Sequence, residues 1–315
     1  MRPTCLAALV AATLSATGCT VASTSTPPGS GDDGSLIHAP ANPDAPASTS
    51  TEARTFVIQS FDVGASTYGW RALGLDIDDQ ATTRDSTGVC QLVRGAATIT
   101  QQDGDGGIDN SFGANLVPLL ITVLGSDAPD RLNASLLTGS PVNQVEVFGL
   151  DRTLTDATLM ASFDGAPFAG AWITGGIVVG GPSAKEAQLM LGVLSGNGST
   201  TAELSFPMTH IQMVAPLSAD GSSVQNGVLS GILPTSEAVL AVDAFARAIA
   251  PGIDPDSLQS FEQQVIQASD IMVDGTQDAS KTCDGISVGL GFTATASPPP
   301  RVLQPSRVPT WRAGP

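Results

Sequence analysis

Short runs of alternating apolar and polar residues, separated by turns rich in Gly, Asp, Asn and Pro, fill most of the chain between residues 55 and 293. Alternation with a period of two is the pattern of a half-buried β-strand. Many short strands with such turns are typical of a sandwich or of a sheet closed on itself. We predict a mainly β fold, a jelly-roll-like β-sandwich. Its strands are predicted at residues 55–63, 69–77, 144–150, 158–163, 171–179, 187–194, 201–206, 210–214 and 285–293.

Three segments depart from this alternation. Residues 115–124 are apolar on nearly all sides, so a buried helix and a buried strand both fit. Residues 236–250 predict a helix, because Ser/Thr residues can cap its start and a Pro-Gly pair follows its end. Residues 257–269 predict a second helix capped by Asp256. The apolar face of this helix carries Leu258, Phe261, Val265 and Ile266. The two helices form a short C-terminal helical insertion before the last strand.

The first 19 residues have one Arg near the start, an apolar stretch over residues 6–14, and small residues before Cys19. This is the layout of an export signal, and the apolar stretch is too short to span a membrane. The residues before and including Cys19 resemble the bacterial lipobox, whose Cys is diacylated and becomes the new amino terminus. Ala16 departs from the Leu that is usual there, which leaves ordinary secretion with nearby cleavage as the alternative. We predict a lipoprotein signal peptide over residues 1–19, with Cys19 lipidated.

The rest of the chain divides into three parts by composition. Residues 20–51 are rich in Ser, Thr and Pro and predict a flexible linker. Residues 52–296 contain the predicted strands and helices, and we expect one β-rich domain there. Residues 297–315 are rich in Pro and predict a disordered tail. By the lipobox resemblance, Thr20 after the cysteine implies sorting to the outer membrane, so we expect an exported protein that is lipid-anchored to the cell envelope.

Net charge and composition narrow the classes of partner. The formal net charge is −17, from 30 acidic and 13 basic residues, and such a chain repels a phosphate backbone. Nucleic acid is therefore excluded as a partner, and no glycine-rich phosphate-binding motif predicts a nucleotide site. Aromatic residues make up only 4% of the chain, too few for broad stacking surfaces. The predicted partners are the membrane, through the lipid anchor, and a protein or polymer ligand.

Two cysteines, Cys90 and Cys283, remain in the predicted domain after Cys5 and Cys19 are assigned to the leader. In an oxidising compartment two cysteines allow one pairing, which ties the start of the domain to its last strand. The alternatives are buried free thiols or a metal-binding pair, but no Cys-x-x-Cys motif or nearby His supports zinc. We predict a Cys90–Cys283 disulfide.

The strongest local signal for chemistry is a short loop rich in Asp and Gly. Asp103, Asp105 and Asp109 are spaced by two and four residues, and the intervening glycines allow turns that bring carboxylates inward. Asp76 and Asp78, at the end of a predicted strand, can complete the six to eight oxygens that Ca²⁺ requires. The spacing lacks the final Glu of an EF-hand. The alternatives are a structural Ca²⁺ site and an acidic turn in which the side chains cap only the backbone.

An enzymatic site has weaker support. His210 is the one His in the predicted domain, and its apolar neighbours favour a hydrogen-bonded structural role. No Gly-x-Ser-x-Gly motif supports a Ser-His-Asp site, and an Asp-rich chain offers acid pairs by chance. We therefore assign no catalytic residue. The alternative function is a hydrolase that acts on carbohydrate or envelope polymer through Asp residues.

Several short motifs resemble those of uncharacterised exported lipoproteins of the myxobacterial type. They are the Gly and Leu-Asp segment at 69–78, Cys90, the Gly-Ile-Asp-Asn turn within 103–110, and the Cys-x-x-Ile-Ser-x-Gly strand at 283–292. The resemblance implies a shared fold and a surface location, and it implies no activity. Together with the residues above, it predicts a membrane-anchored envelope or cell-surface lipoprotein. We expect a binding or structural module with a Ca²⁺-ordered Asp loop.

Overall fold

The architecture comes from a computed structural model, which describes residues 39–64, 69–83, 85–97, 100–124, 143–183, 185–194, 200–249 and 252–297. The predicted signal peptide, the lipidation site Cys19, most of the linker and all but the first residue of the tail lie outside these residues. The described part is mainly β, as predicted. No helix in these ranges is long and apolar enough to cross a membrane.

The described residues contain ten strands and three α-helices. The strands are β1 (Ala53–Asp62), β2 (Gln144–Phe148), β3 (Ala157–Phe163), β4 (Ala166–Pro167), β5 (Ala171–Thr174), β6 (Ile177–Gly180), β7 (Ala187–Leu194), β8 (Thr200–Pro216), β9 (Ser223–Pro234) and β10 (Gly285–Ala296). The helices are α1 (Val117–Leu124), α2 (Thr235–Ile249) and α3 (Pro255–Ile266), and a π-helical turn at Phe112–Leu116 leads into α1.

The strands pair antiparallel into one sheet that closes on itself. Its order is β2-β1-β10-β9-β8-β6-β5-β3, and β3 pairs again with β2, so these eight strands each have a partner on both sides. The short β4 pairs antiparallel with the end of β3, and β7 pairs with the first half of β8. The two-sheet, jelly-roll-like arrangement that we predicted is not confirmed. The core contains Phe56, Phe163, Leu229, Val288 and many similar side chains, all 2% exposed or less.

β10 has faces of different character. Ile286, Val288 and Leu290 belong to the apolar core. The alternate positions Ser287, Gly289 and Gly291 are small, and the segment between β1 and β2 lies against them. At Gly289 an added Cβ would lie 2.2 Å from the Leu73 carbonyl oxygen, so only Gly allows this close approach. The small residues of β10 therefore make room for the loops that carry the acidic residues.

The predicted strand at 69–77 is wrong. Residues 69–72 form a 3-10 turn, and the chain then crosses β10 without pairing with it. Gly74 has a φ of 134°, which ends any extended run. The carbonyl oxygens of Trp70 and Leu73 accept hydrogen bonds from the buried side chain of Asn110, in place of a strand partner. The alternating pattern reflected burial against β10, and a tertiary contact replaced the expected pairing.

Several element boundaries also differ from the predictions. The run at 171–179 is two strands, β5 and β6, joined by a turn at Gly175 and Gly176, which both have positive φ. The predicted strands at 201–206 and 210–214 are one long strand, β8, which bends at His210, where φ is 51°. We expected a hydrogen-bonded structural His at position 210, but its buried Nδ1 has no hydrogen-bond partner among the described residues. β9 had no counterpart in the predictions. Its glycines resembled turn residues.

The helical segments follow the predictions closely. Residues 117–124 form a helix, which settles the ambiguity of the apolar run at 115–124. α2 matches the predicted helix at 236–250. α3 begins two residues earlier than predicted, because its cap is Asp254 and not Asp256. The Asp254 carboxylate accepts hydrogen bonds from the backbone N–H groups at positions 256 and 257.

The described end of the predicted linker lies against the sheet. The backbone of Thr158 in β3 pairs with residues 46–48: the Ser48 N–H donates to the Thr158 carbonyl, and the Thr158 N–H donates to the Pro46 carbonyl, both at 3.0 Å. The Ser48 hydroxyl donates to the Gly149 carbonyl at 2.5 Å, and the Trp172 indole N–H donates to the Pro40 carbonyl at 3.2 Å. The chain therefore contacts the domain from Pro40 onward.

Candidate functional site

Two loops between β1 and β2 meet beside the first residues of β10 and form an acidic cluster. The Asp109 N–H donates to the Leu75 carbonyl at 3.1 Å, and the Ile77 N–H donates to the Asp109 carboxylate at 2.6 Å. These bonds join the loop that ends at Asp109 to the turn at residues 76–79. The next residue, Asn110, fixes both loops to β10, because its side chain accepts from the Gly289 N–H and donates to the Gly289 carbonyl.

Three carboxylates converge where the loops meet. One oxygen from each of Asp76, Asp78 and Asp109 lies within 4.8 Å of the others. Oxygens that share a Ca²⁺ ion at 2.3–2.6 Å are at most about 5 Å apart, so the three side chains can hold a metal ion. Gly107 has a φ of 97°, and an added Cβ there would lie 3.0 Å from an Asp76 oxygen. A glycine at this position leaves the cluster its space.

The turn that carries Asp76 and Asp78 is held by its own carboxylates. The Gln80 N–H donates to Asp76 at 3.2 Å and to Asp78 at 2.9 Å. Asp79, between them and Gln80, has a φ of 58°, a left-handed conformation that Asp tolerates better than most residues. This is the backbone-capping role that we named as the alternative to metal binding. It uses one oxygen of each carboxylate.

Asp103 lies beside the three converging carboxylates and pairs with Thr82. The Thr82 N–H donates to the Asp103 carboxylate, and the Asp103 N–H donates to the Thr82 carbonyl at 3.1 Å. The Thr82 hydroxyl is buried and has no hydrogen-bond partner. An unsatisfied buried hydroxyl is uncommon in proteins, and here the described residues offer this one no partner.

Asp270 is a further acid of this region, and it comes from the distant segment between α3 and β10. It is 7% exposed, and its carboxylate accepts from the N–H and the hydroxyl of Ser287 at 2.9 and 2.5 Å. The Ser287 hydroxyl in turn accepts from the Ser111 N–H at 2.8 Å. Asp270 therefore links β10 to the start of the π-helical turn.

Burial and mutual repulsion raise the pKa values of all five acids. Burial raises the pKa of Asp103 from 3.8 to about 8, with smaller contributions from the charges of nearby aspartates. Burial also raises the pKa of Asp270, to about 7, against the opposing effect of the Ser287 hydrogen bonds. The pKa of Asp109 lies well above its usual value because of burial and then of the Asp78, Asp103 and Asp270 charges. The pKa values of Asp76 and Asp78 are raised mainly by burial.

The charges that act most strongly on these carboxyl groups are other carboxylates. Negative charges brought together in this way repel one another, and each is partly removed from water. The arrangement has two ways to lower its energy: to keep protons at neutral pH, or to bind a cation. A cation at the three converging oxygens displaces the protons, because a metal ligand has to be ionised.

The structure brings together three of the five predicted metal ligands, Asp76, Asp78 and Asp109. Asp103 is their neighbour. Asp105 is exposed and is not among the three, and its N–H donates to the Arg71 carbonyl at 2.8 Å. Sequence reasoning missed Asp270, Thr82 and Gln277. No local signal marks them, because they reach the site only through the fold.

The predicted disulfide is confirmed. Cys90 and Cys283 are bonded, with Cα atoms 5.2 Å apart and a sequence separation of 193 residues. The bond ties the loop that follows the acidic turn to the start of β10. Gln91 pairs with the residues around Cys283: its N–H donates to the Lys281 carbonyl at 2.7 Å, and its carbonyl accepts from the Cys283 N–H at 2.9 Å.

A surface hollow elsewhere on the domain bears on the hydrolase alternative. It is lined by Gln144, Glu146, Asp164 and Gly165, at the β2 start and the β3–β4 turn, and none of these belongs to the acidic cluster. The Asp164 carboxylate accepts from the Gln144 N–H at 2.7 Å, which is ordinary turn chemistry. Catalysis by a carboxyl pair requires both groups to line one groove. Two carboxyl groups, those of Glu146 and Asp164, line this hollow, whereas the three converging aspartates do not.

No protein-family model, no curated protein and no solved structure matches this chain. The function therefore has to be argued from the chain's own residues, and the resemblance to exported lipoproteins stays a prediction.

Proposed function

We propose that this chain is a lipid-anchored lipoprotein of the cell envelope that acts as a binding or structural module, with a Ca²⁺ ion ordering the loops at one end of its domain. The observation that carries the proposal is the convergence of Asp76, Asp78 and Asp109 within 4.8 Å. The charges around them are mostly those of further aspartates. A bound cation removes the repulsion and adds a further link between the two loops.

The chemistry of the ligands favours Ca²⁺ over other common ions. All three side chains offer hard oxygen ligands, whereas Zn²⁺ sites are built mainly from Cys and His. Mg²⁺ is usually held by one or two carboxylates and keeps several waters in a strict octahedron. Three carboxylates on Gly-containing loops match the irregular, oxygen-rich coordination that Ca²⁺ accepts.

The position of the cluster supports a role in presenting loops. β1 begins and β10 ends at the same end of the closed sheet, where Ala296 pairs with Phe56. Asp270 and Asn110 contact β10 at Ser287 and Gly289, toward its other end. Nine residues of β10 separate Ser287 from Ala296, about 30 Å at 3.3 Å per residue. β1 therefore begins at the end of the domain opposite to the site.

The disulfide supports the exported location, because such bonds persist in oxidising compartments. The lipid anchor at Cys19 and the outer membrane rest on the lipobox resemblance. In this arrangement the acylated Cys19 holds the domain at the membrane through residues 20–39. The ordered loops at the far end of the domain face a protein or polymer partner.

Calcium titration tests the site directly. The full chain carrying Cys19→Ser is purified with its disulfide intact and titrated with Ca²⁺ by calorimetry, alone and with Asp109→Asn or Asp105→Asn. Asn at position 109 keeps the oxygen that accepts from the Ile77 N–H, so it removes charge with little change of shape. We expect Asp109→Asn to abolish binding and the exposed Asp105→Asn to leave it unchanged.

Thermal melts in EDTA and in Ca²⁺ give an independent readout. A ligand present at one hundred times its Kd adds about 2.7 kcal/mol to the free energy of unfolding. For a domain of this size that corresponds to a Tm increase of about 5–10 °C. If the Tm of the oxidised protein and its calorimetric trace are both unaffected by millimolar Ca²⁺, the proposed site is wrong.

A further inference from the structure

The side chain of Gln277 lies between the acidic cluster and the disulfide. Its Nε2 donates to the Asp78 carboxylate at 2.7 Å, and its Oε1 accepts from the Cys90 N–H at 2.9 Å. Both ends of one neutral amide are thus used, one on a converging carboxylate and the other on a disulfide-bonded residue. The cluster and the disulfide are thereby in contact through a single side chain.

The disulfide determines where the Cys90 N–H lies. Cys90 belongs to the loop that follows the acidic turn, and its bond to Cys283 fixes that loop beside β10. Gln101 adds to this attachment, because its side-chain amide donates to the Cys90 carbonyl and lies 3.3 Å from the Cys283 sulfur. Without the S–S bond, the position of Cys90, and with it the acceptor end of Gln277, depends on the weaker hydrogen bonds of Gln91 and Gln101.

The neutral amide suits a residue that supports an ion site. A Lys or Arg at position 277 would balance the charge of Asp78 and compete with a cation. The amide N–H of Gln277 instead orients one Asp78 oxygen and leaves its charge in place.

We propose that Gln277 is a positioning residue of the ion site and that it makes divalent-cation binding depend on the Cys90–Cys283 disulfide. This inference rests on the proposed Ca²⁺ site. The oxidised protein binds Ca²⁺ more tightly than the reduced protein, because the disulfide fixes Cys90, whose N–H holds the Gln277 amide against Asp78. By thermodynamic reciprocity, bound Ca²⁺ in turn makes the disulfide harder to reduce.

The redox step is an ordinary thiol–disulfide exchange with an added dithiol. Dithiothreitol attacks one sulfur through its thiolate, and a mixed disulfide forms as the Cys90–Cys283 bond breaks. Its second thiolate then closes the cyclic disulfide of dithiothreitol. Cys90 and Cys283 are left as two thiols, so the two electrons and two hydrogens lost by dithiothreitol are accounted for.

The test measures the Ca²⁺ Kd of the full Cys19→Ser chain in the oxidised form and after reduction with dithiothreitol. It does the same for Gln277→Met, which keeps the volume and removes the hydrogen bonds that the Gln277 amide makes with Asp78, Cys90 and the Asp270 carbonyl. Loss of a residue that orients a metal ligand weakens binding by about 10- to 100-fold. We expect this increase of Kd on reduction of the wild type and in oxidised Gln277→Met, and little further increase when that variant is reduced.

Gln264→Met is the matched control, because Gln264 is exposed on α3 and bonds only within its own helix, to the Ser260 carbonyl. It should bind Ca²⁺ and respond to reduction as the wild type does. A Kd that is the same in oxidised Gln277→Met and in wild type overturns the inference and leaves the Ca²⁺ site standing. If oxidised wild type binds no Ca²⁺, the proposed function itself fails.

The rate of disulfide reduction is a second measurement that does not need the reduced protein or the variant to be stably folded. We expect millimolar Ca²⁺ to slow the reaction of the wild type with dithiothreitol, because the bound ion stabilises the oxidised form that the reagent has to open. Mg²⁺ at equal ionic strength controls for salt. A rate that is independent of Ca²⁺, in a protein that binds it, contradicts the coupling.

Discussion

Asp270→Asn should change how the stability of the domain depends on pH. Asp270 is buried beside Ser287, and burial raises its pKa from 3.8 to about 7. A carboxyl group whose pKa is raised by folding binds more protons in the folded state than in the unfolded state. The free energy of unfolding therefore falls as pH rises between these two values. Asn at this position has the same shape and does not titrate.

The size of the effect follows from the pKa difference. Each pKa unit corresponds to about 1.4 kcal/mol, so ionisation of Asp270 lowers the free energy of unfolding by about 4 kcal/mol over the whole pH window. About 2.5 kcal/mol of this loss falls between pH 5 and pH 8. The hydrogen bond to Ser287 that Asn loses costs the same at every pH, so the change in slope isolates the charge.

The assay is a series of thermal melts in EDTA between pH 5 and pH 8 on the full Cys19→Ser chain, with and without Asp270→Asn. Relative to the wild type, the Tm of the variant should rise across this range by about 5–10 °C. Asp105→Asn, an exposed change in the same loop region, is the control and should give a constant difference. If the Tm difference between Asp270→Asn and wild type is the same at pH 5 and pH 8, the buried acid does not keep its proton and the reasoning fails.

Three further predictions concern the close packing, the proton balance and the anchor. Gly289→Ala should destabilise the domain by about 1–3 kcal/mol or more, because the added Cβ would lie 2.2 Å from the Leu73 carbonyl oxygen. Gly170→Ala is the control, because a Cβ there has nothing within 4 Å, and it should be nearly neutral. Denaturant melts measure both changes. Calcium binding should release protons at pH 7 and tighten as pH rises from 6 to 8, because the raised pKa of Asp103, about 8, leaves the ion-free site protonated. Calorimetry in buffers of different ionisation enthalpy measures the number of protons released. The absence of proton release would contradict this prediction. Cys19→Ser should abolish labelling with an alkyne fatty acid in the exporting host, and retained label would refute the lipidation site.

The acidic site shows which part of a binding constellation can be predicted from sequence. Asp76, Asp78 and Asp109 stand out because carboxylates and glycines recur at short spacing, and the structure brings these three together. Asp105 belongs to the same pattern but is exposed, because the direction in which a loop residue points depends on the bonds around it. Gln277 is almost two hundred residues from Asp78, and nothing in its own neighbourhood distinguishes it from any other surface Gln.

The sequence by itself determined the local elements and the covalent pairing. β1, β10 and α2 follow from periods of two and 3.6 residues, which are properties of neighbouring positions. The Cys90–Cys283 bond follows because two cysteines remained to pair. Closure of the sheet through β2 and β3 was decided only by the tertiary structure. The tertiary structure also decided that residues 69–77 form no strand and that five acids come together beside β10. Each of these features depends on contacts between residues far apart in the chain. Local sequence patterns do not specify which distant surface a segment will contact.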